Sequence, residues 1–203
     1  MDGKQGYHHG NLRQALVAAG LTLARSGGPE AVGLREASRQ AGVSHNAAYR
    51  HFADHRELVA AVAERCMQEL GDLMRARTGA VTGGATERAW GRLDALGRAY
   101  VDFAHAEPGW FRTAFSAAAH PDPPGPPPEL TADHPFQQLN AALDDLVAVG
   151  ALPADRRPGA EYAAWSAVHG FAALTVEGPL RGMAAAETEQ ALRTVLAVVV
   201  RGL

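Results

Sequence analysis

The chain has 203 residues, of which 47% are hydrophobic, and a formal net charge of −3 from 19 basic and 22 acidic residues. This length accommodates one large or two modest domains with a buried core. No run of about 20 apolar residues is present, and MDGKQGYHHG contains no hydrophobic signal segment. These absences exclude a membrane-spanning helix at the sequence level, so we expect a soluble cytoplasmic protein with no membrane partner. The single cysteine, Cys66, excludes an intrachain disulfide and is predicted to be a buried hydrophobic residue rather than a redox sensor.

The composition predicts an all-α fold. Alanine is abundant, aromatic residues make up 6% of the chain, and runs of β-branched residues are few. Alanine favours helix more than any other residue, whereas strands are enriched in β-branched and aromatic residues.

Charge is unevenly distributed along the chain. Residues 1–58 carry 7 Lys and Arg against 5 Asp and Glu, whereas residues 59–203 carry 12 against 17. The N-terminal segment is therefore +2 and the remainder −5. Attraction to a polyanion depends on local charge, so this pattern favours nucleic-acid binding by the N-terminal segment.

Residues 1–10 are predicted to form a flexible arm, in which Lys4, His8 and His9 either lie along a phosphate backbone or make no contact. Asn11 is predicted to cap the first helix. The apolar positions of this helix recur at helical spacing and are Leu12, Leu16, Ala19 and Leu23.

Residues 33–52, GLREASRQAGVSHNAAYRHF, are predicted to form two short helices joined by a tight turn. The first helix runs from Leu34 to Ala41. Gly42 ends it, because a helix C-terminus commonly needs a residue that tolerates the left-handed conformation. Ser44 caps the second helix, because its hydroxyl can accept a hydrogen bond from an amide of the first turn.

The second helix places Ala48 and Phe52 four residues apart, so both are predicted to face inward. The exposed positions carry residue types that bind base edges or phosphate oxygens. The residues predicted to contact DNA are Gly33, Arg35, Ser44, His45, Asn46, Ala47, Tyr49, Arg50, His51 and His55. The alternative is a generic helical hairpin with a solvated face.

The run from Tyr7 to Leu58 resembles the DNA-binding domain of TetR-family transcriptional regulators. A long first helix, a Gly-Pro-Glu linker, an Ala-Gly-Val-Ser turn and a Tyr-x-His-Phe motif occur in the order typical of that family. The resemblance implies an N-terminal three-helix DNA-binding domain, assigned to residues 11–57, and a ligand-binding and dimerisation domain at residues 58–203. It also implies a double-stranded operator, a small-molecule effector and a homodimer as the partners of this chain.

Three positions depart from the pattern of the resembled family. Gly33 replaces the usual Thr or Ser, so phosphate contact there is left to backbone amides. Ala48 replaces the Leu or Ile that normally anchors the recognition helix. His55 replaces a frequent Lys, which makes one phosphate contact weaker and dependent on pH.

The rest of the chain is predicted to be helical between glycine-rich and proline-rich breaks. Asp54 and Glu57 have the spacing of an acidic capping box. The predicted helices cover about residues 55–75, 87–105, 135–149, 160–177 and 188–202, with a short helix after Glu107-Pro108-Gly109. Residues 120–134, HPDPPGPPPELTADH, are predicted to form an extended loop because prolines interrupt helices.

The last two predicted helices each carry an apolar seam. The seam positions are Tyr162, Trp165, His169, Ala172 and Val176 on the first helix, and Leu192, Val195, Val199 and Gly202 on the second. In the resembled family the last two helices form the dimer interface. Trp165-x-x-x-His169-Gly170 also resembles the Trp-His-Gly signature of one subgroup of that family.

An effector pocket is implied by the same resemblance. The residues proposed to line it are Tyr100, Trp110, Phe111, Phe115, Trp165 and His169. The alternative is that the aromatic residues fill the core and that His169 is a hydrogen-bonded core residue.

The sequence contains no glycine-rich phosphate loop, HExxH motif, CxxC pair or nucleophile elbow, so we expect neither an enzyme nor a cofactor. His51 and His55 are four residues apart, but Phe52-Ala53-Asp54 is predicted to break the helix between them, which disfavours a metal site. The leading hypothesis is a homodimeric repressor that a small molecule releases from a palindromic operator. Its rivals are a ligand-binding adaptor that has lost DNA binding and a helical enzyme.

Overall fold

The computed structural model describes residues 5–116 and 129–202, and every regular element in these ranges is helical, which confirms the all-α prediction. Lys4 of the predicted arm and residues 120–128 of the proline-rich segment lie outside the described residues. Short 3-10 turns occur at Pro29–Ala31 and Ala154–Arg156. The α-helices are α1 (Gln5–Gly27), α2 (Leu34–Gln40), α3 (His45–Ala48), α4 (His55–Gly79), α5 (Ala85–Ala106), α6 (Pro108–Ala114), α7 (Pro135–Ala148), α8 (Ala160–Val176) and α9 (Ala185–Gly202).

The chain divides into two compact units. The described part of the first, here called the head, comprises residues 5–67 and 107–116. The described part of the second, here called the body, comprises residues 68–106 and 129–202. The predicted boundary after residue 57 differs from this division. Val59, Val62 and Cys66 of α4 are buried in the core of the head, and α6 also belongs to that unit.

Helix α1 begins at Gln5, earlier than the predicted start at Asn11. Residues 5–10 of the predicted arm are therefore helical, and Asn11 lies inside the helix instead of capping it. Asparagine in a helix interior costs at most about 0.7 kcal/mol relative to alanine, so its presence does not force a helix to begin there. The helix ends before Gly28, whose φ of 72° is a conformation that favours glycine.

The core of the head is built from one apolar face of each of its longer helices. Leu16 and Ala19 of α1 are buried, as the helical spacing predicts. They pack in one cluster with residues of α2, α3, α4 and α6, as expected of helices that each bury an apolar stripe. The other buried members of the cluster are Ala24, Val32, Leu34, Ala37, Ala48, Phe52, Leu58, Val59, Val62, Cys66 and Ala114.

Helix α6 packs against the C-terminal end of α1 within the head. The Trp110 indole N–H donates to the Leu21 carbonyl oxygen over 2.9 Å. The Arg25 guanidinium binds both carboxylate oxygens of Glu107 and lies 4.8 Å above the Trp110 ring. A Cβ atom on Gly109 would collide with the Ala24 carbonyl oxygen, so only glycine permits this close approach.

In the body, α5 packs against α7 and α8, and α9 packs against α8 and α5. Leu93 of α5 and Leu139, Leu143 and Leu146 of α7 form the centre of one buried cluster. Helix α7 begins where predicted, at Pro135, with the Nδ1 atom of His134 accepting a hydrogen bond from the Phe136 amide. Apolar side chains from four helices thus pack together in the body, on α5, α7, α8 and α9.

Candidate nucleic-acid interface and ligand cavity

The turn between α2 and α3 has the geometry that the sequence predicts. Helix α2 ends at Gln40, and Gly42 adopts a φ of 67°, which favours glycine. The Val43 amide donates to the Ser38 carbonyl oxygen over 3.0 Å and closes the turn. The Ser44 hydroxyl then accepts a hydrogen bond from the Ala47 amide over 3.2 Å, so Ser44 is the N-cap of α3.

Helix α3 is fixed to the head by two fully buried residues, Ala48 and Phe52. It comprises only four residues, and a turn follows, yet the Phe52 amide still donates to the Ala48 carbonyl oxygen over 3.0 Å. The Arg13 guanidinium lies 5.0 Å above the Phe52 ring. The small Ala48 side chain and the stacked Phe52 therefore anchor the segment where a larger aliphatic residue is usual in the resembled family.

The opposite side of the same segment faces solvent. His45, Asn46 and Arg50 are exposed, and Tyr49 keeps half of its surface accessible. The His45 and Tyr49 rings meet edge to face with centroids 4.8 Å apart. Buried Ala48 and Phe52 therefore direct polar and aromatic side chains outward, as the spacing predicts.

Helix α2 contributes a balanced charge pair beside this face. The Arg39 guanidinium donates to both carboxylate oxygens of Glu36, over 2.8 and 2.5 Å, and Gln40 donates to one of them. These hydrogen bonds lower the pKa of Glu36 to about 2, and the one from Arg39 contributes most. Glu36 is thus ionised at neutral pH, but its charge is compensated by Arg39, and Arg35 projects from the same helix into solvent.

The N-termini of α2 and α4 precede and follow the residues of the turn and α3 in the chain. Gly33 is the N-cap of α2 in an extended conformation and supplies no side-chain hydrogen bond. At the start of α4 the Asp54 carboxylate accepts from the Glu57 amide over 2.9 Å, while the Glu57 carboxylate accepts from the Ala53 amide over 2.6 Å. This reciprocal arrangement is the predicted acidic capping box. It places His55, exposed, at the first position of α4.

The ten residues predicted to contact DNA all lie in the head, in one segment from α2 to the start of α4. Seven of them are exposed: Arg35, Ser44, His45, Asn46, Tyr49, Arg50 and His55. The other three, Gly33, Ala47 and His51, are half-buried. The predicted break between His51 and His55 is present, because α4 begins only at His55. Within the described ranges, no group of three or more His, Cys, Asp or Glu side chains is arranged to hold a metal ion.

The body contains an apolar cavity of about 40 Å³. Two of the predicted ligand residues, Tyr100 and Trp165, line it, with ring centroids 5.5 Å apart in an edge-to-face arrangement. The remaining lining residues come from five helices and are Met74, Leu93, Asp94, Leu96, Gly97, Leu139, Ala164, Val168, Leu196, Val199 and Val200.

His169 does not line the cavity but contacts Tyr100, which does. Its Nδ1 atom lies 2.7 Å from the Tyr100 hydroxyl oxygen, a hydrogen-bond distance. Burial raises the pKa of Tyr100 and lowers the pKa of His169, so both groups are held in their neutral forms near pH 7. His169 is half-buried, and its hydrogen bond orients Tyr100.

Trp110, Phe111 and Phe115 belong to the head and are not among the residues that line the body cavity. Phe111 is buried, with its ring centroid 5.2 Å from that of Phe115, and Trp110 and Phe115 pack on the head core. The predicted set of six thus separates into two groups. Aromatic content alone did not reveal that α6 packs with α1 rather than with α5, because periodicity defines a helix face but not its partner.

Aliphatic residues that the sequence analysis assigned only to helix stripes line most of the cavity. Leu93, Leu96 and Tyr100 lie at helical spacing on α5, and Ala164 and Val168 lie four residues apart on α8. Gly97 is the least obvious member. A Cβ atom there would lie 2.5 Å from the Cδ2 atom of Leu196, so glycine allows α9 to approach α5 beside the cavity.

The predicted dimer seams are partly buried within the chain. On α8, Ala172 is fully buried and Trp165 lines the cavity, while on α9 Leu192 is buried. The large apolar side chains that remain exposed on these two helices are Tyr162, Leu174, Val198 and Val200. Ala172 and Leu192 therefore pack within the body, whereas Tyr162 of the same seams is exposed.

Comparison with known families identifies the chain. The family described as "Bacterial regulatory proteins, tetR family" matches residues 16–62, and the family described as "Tetracyclin repressor-like, C-terminal domain" matches residues 93–199. The first match contains α2, the turn and α3, and the second contains most of the lining of the cavity. The chain therefore belongs to the TetR family of transcriptional regulators, which bind DNA through a helix-turn-helix.

Solved structures agree with this fold over nearly the whole chain. A protein of unknown function from Rhodococcus sp. RHA1 is 26% identical, with a TM-score of 0.68 and coverage of 98% of this chain and 99% of that one. RolR in complex with resorcinol is 16% identical, with a TM-score of 0.67 and coverage of 98% and 95%. FadR from Bacillus subtilis in complex with stearoyl-CoA is 11% identical, with a TM-score of 0.65 and coverage of 94% and 98%. No curated protein sequence matches the chain.

None of the helices in the described parts of the chain combines the length and the apolar character needed to cross a membrane.

Proposed function

We propose that this regulator is a homodimeric repressor that binds a palindromic operator in the bacterial cytoplasm and is released by a small-molecule effector. The observation that carries the proposal is the orientation of α3: Ala48 and Phe52 are fully buried, so His45, Asn46 and Arg50 are displayed outward from a capped turn. A short polar helix held in this way is suited to enter a major groove.

Base contacts are assigned to the first residues of α3. Asn46 is exposed and can pair bidentately with adenine, and the small Ala47 can contact a thymine methyl group. His45, edge to face with Tyr49, is placed to contact an adjacent base edge. These three side chains would determine which sequence the protein prefers.

Phosphate contacts are assigned to the residues around them. Arg50 and Tyr49 supply a charge and a hydroxyl at the exposed end of the segment, and Arg35 supplies a charge from α2. The further members of this set are Gly33 through its amide, Ser44, His51 and His55. Such contacts position a protein on DNA without reading its sequence.

Dimerisation is proposed through α8 and α9. Tyr162 is 65% exposed, Leu174 44% and Val198 62%, so α8 and α9 display large apolar side chains to solvent. Burying these residues against a second copy would give a dimer that carries two heads. Two recognition helices about 34 Å apart would then reach successive major grooves.

The body cavity is proposed to bind the effector. Tyr100 and Trp165 line it, and His169 orients Tyr100. RolR and FadR, which share the fold, were solved with resorcinol and stearoyl-CoA respectively. An effector that prefers a body conformation with wrongly spaced heads would shift the protein off DNA, with a coupling of about 1 to 3 kcal/mol.

Membership of the Trp-His-Gly subgroup is also proposed. Trp165, His169 and Gly170 lie on α8, inside the segment matched by the tetracyclin repressor-like C-terminal family. In this chain Trp165 lines the cavity and His169 bonds to Tyr100, which would give the first two letters of the signature a role at the effector site.

The direct test is a gel-shift titration of the protein against the DNA upstream of its own gene, with shuffled DNA of the same composition as control. We expect a shift at low salt that prefers the upstream DNA and weakens steeply as salt rises. Absence of any preference at low salt would refute operator binding.

An adaptor without DNA binding is the second candidate, favoured by one observation. Gly33 gives α2 no side-chain cap, whereas a Ser or Thr there would supply one and a phosphate contact. An adaptor would form the dimer and bind the effector but would shift neither the upstream DNA nor the shuffled control. A gel shift combined with a ligand-binding measurement therefore separates the candidates.

A further inference from the structure

Arg13 of α1 contacts the segment that carries the candidate DNA contacts. Its guanidinium carbon lies 5.0 Å from the centroid of the Phe52 ring. Phe52 is fully buried and ends residues 45–52, here called the recognition segment. The Cα atoms of Phe52 and Arg50 are at most about 7.6 Å apart, because they are separated by two peptide units. The Arg13 charge is therefore held close to the end of the recognition segment that displays Arg50.

Contact with a ring face leaves the hydrogen-bonding edge of a guanidinium available. The N–H groups of arginine lie in the plane of the guanidinium, whereas an aromatic ring attracts the cation over the ring face. Arg13 is exposed, and no carboxylate in the described part of the chain pairs with it. Its N–H groups can therefore donate to two oxygen atoms of one phosphate group, a geometry that arginine favours.

The arginines of the head differ in how their charges are compensated. Arg39 is paired with Glu36 over 2.5 Å, so its charge is balanced within the chain. Three exposed arginines have no carboxylate partner among the described residues: Arg13, Arg35 and Arg50. An uncompensated cation on the surface attracts a polyanion more strongly than an ion-paired one. Arg13 shares this property with the two arginines proposed above as phosphate contacts, but it lies on a different helix, α1.

The contact with Phe52 also restricts where the Arg13 side chain can lie before DNA binds. A long side chain that is already positioned loses less rotamer freedom when it forms a contact. Lysine would not replace arginine here, because its ammonium group is a compact point charge without a planar fork. The residue type and its position thus both suit a phosphate group.

We propose that Arg13 is a further phosphate-binding residue of the head and that Phe52 holds its guanidinium in place. This inference rests on the proposed function, since it adds a contact to the same DNA-binding surface. The contact is independent of base sequence, because phosphate contacts position a protein on DNA without reading it. Phe52 then has two roles: it anchors the recognition segment and supports a cation beside it.

The test measures how DNA binding by the full-length chain depends on salt. Fluorescence anisotropy is recorded on the upstream DNA and on the shuffled DNA, from about 50 to 200 mM salt. We expect Arg13→Gln to weaken binding to both DNAs by the same factor, at least about fivefold, and to reduce the salt slope by about one unit for each bound protomer. A salt slope equal to that of the unaltered chain would overturn the inference.

Arg112→Gln is the charge-matched control. Arg112 is an exposed arginine of the head, but it lies beside Gly28, where an added Cβ atom would be 3.2 Å from its guanidinium carbon. Residues 13 and 28 are about 22 Å apart along a helix that rises 1.5 Å per residue. We expect Arg112→Gln to leave the salt slope unchanged. Equal reductions in the two variants would show that net charge alone controls binding, which would contradict the proposal.

Two further variants separate binding of phosphate from covering of the Phe52 ring. Arg13→Met keeps a long apolar side chain against the ring but removes the charge, so we expect it to bind DNA as weakly as Arg13→Gln does. Arg13→Lys keeps the charge, so it should retain the salt slope with an affinity between those of Arg13→Gln and the unaltered chain. Full DNA binding by Arg13→Met would show that Arg13 only covers Phe52 and would overturn the inference. Thermal melting of each variant confirms that it folds.

Failure of this inference is distinguishable from failure of the proposed function. The proposed function requires preference for the upstream DNA, whereas the inference requires a salt slope that depends on Arg13 on either DNA. Preference without such a slope would overturn the inference alone. A slope that depends on Arg13 without any preference would overturn operator binding alone. A protein that binds neither DNA would overturn both.

Discussion

The head and the body use their helices in opposite ways. In the head, buried residues such as Phe52 hold a segment whose candidate recognition residues, Asn46 and Arg50, point into solvent. In the body, the candidate recognition residues Tyr100 and Trp165 face a cavity and also belong to the packed interior. Stability and recognition are therefore carried by different side chains in the head and by the same side chains in the body.

The largest expected effect comes from removing the anchor of the recognition segment. Phe52→Ala deletes a fully buried ring and should cost about 3 to 5 kcal/mol of unfolding free energy. Leu143→Ala, also fully buried, is the matched change in the body. We expect Phe52→Ala to abolish operator binding in a gel shift and Leu143→Ala to weaken it less, because only Phe52 holds the recognition segment. Equal loss of operator binding in the two variants would contradict the separation of roles between the two units.

The next effect distinguishes base contacts from phosphate contacts on the exposed face of the head. Asn46→Ala should cost about 1 to 3 kcal/mol on the preferred DNA and relax preference at particular base pairs. Arg50→Ala should weaken binding to all sequences and reduce the salt slope by about one unit. Both residues are exposed, so neither change should alter the melting temperature. Equal losses on every DNA for both variants would refute the assignment of Asn46.

A smaller effect is expected at the turn itself. The Ser44 hydroxyl caps α3 through the Ala47 amide, so Ser44→Ala should cost about 1 kcal/mol of unfolding free energy. Ser44→Asp, which preserves a capping acceptor, is the control for stability. Denaturation in urea measures both variants. A Ser44→Ala protein as stable as the unaltered chain would show that the cap contributes nothing.

The body should respond to acid through two half-buried histidines. Burial lowers the pKa of His134 and of His169 below the ordinary value of 6.5. The unfolded chain then binds more protons than the folded one below about pH 6.5, so unfolding is favoured as pH falls through that value. We expect the melting temperature to decline from pH 7 to pH 5.

His134→Asn tests that cause directly. Asparagine can still accept the Phe136 amide hydrogen at the N-cap of α7, but it does not titrate. The variant should therefore show a shallower decline of melting temperature with acid than the unaltered chain. An unchanged or steeper decline would exclude His134 as a contributor.

The smallest effect is expected where the head departs from its family. Gly33 has a φ of −105° and an added Cβ atom would meet nothing within 4 Å, so a side chain is accommodated without strain. Gly33→Ser should raise the unfolding free energy by only a few tenths of a kcal/mol, because Gly is a nearly adequate N-cap. Gel shift should also show tighter DNA binding through the new hydroxyl. Weaker binding would indicate that the backbone amides at this position require glycine.

Local features of the head were predictable from the residues alone. Gly42 ends α2 and Ser44 caps α3 because these properties depend on a residue and its immediate neighbours. The inward positions Ala48 and Phe52 follow from the period of the helix. The predicted start of α1 at Asn11 was wrong, because asparagine is accommodated inside a helix as well as at its cap.

The sequence by itself determined the all-α class, most helix positions, the helix-turn-helix and the outward side of α3, all of which depend on short-range spacing. Only the tertiary structure decided that α6, with Trp110, Phe111 and Phe115, belongs to the head, and that Gly97 and Leu196 shape the body cavity. It also decided which seam residues of α8 and α9 are buried within the chain, such as Ala172 and Leu192, and which remain exposed, such as Tyr162. The physical reason is that an apolar stripe must be buried, but many partners satisfy it equally well, and the choice is made by contacts between residues far apart in the chain.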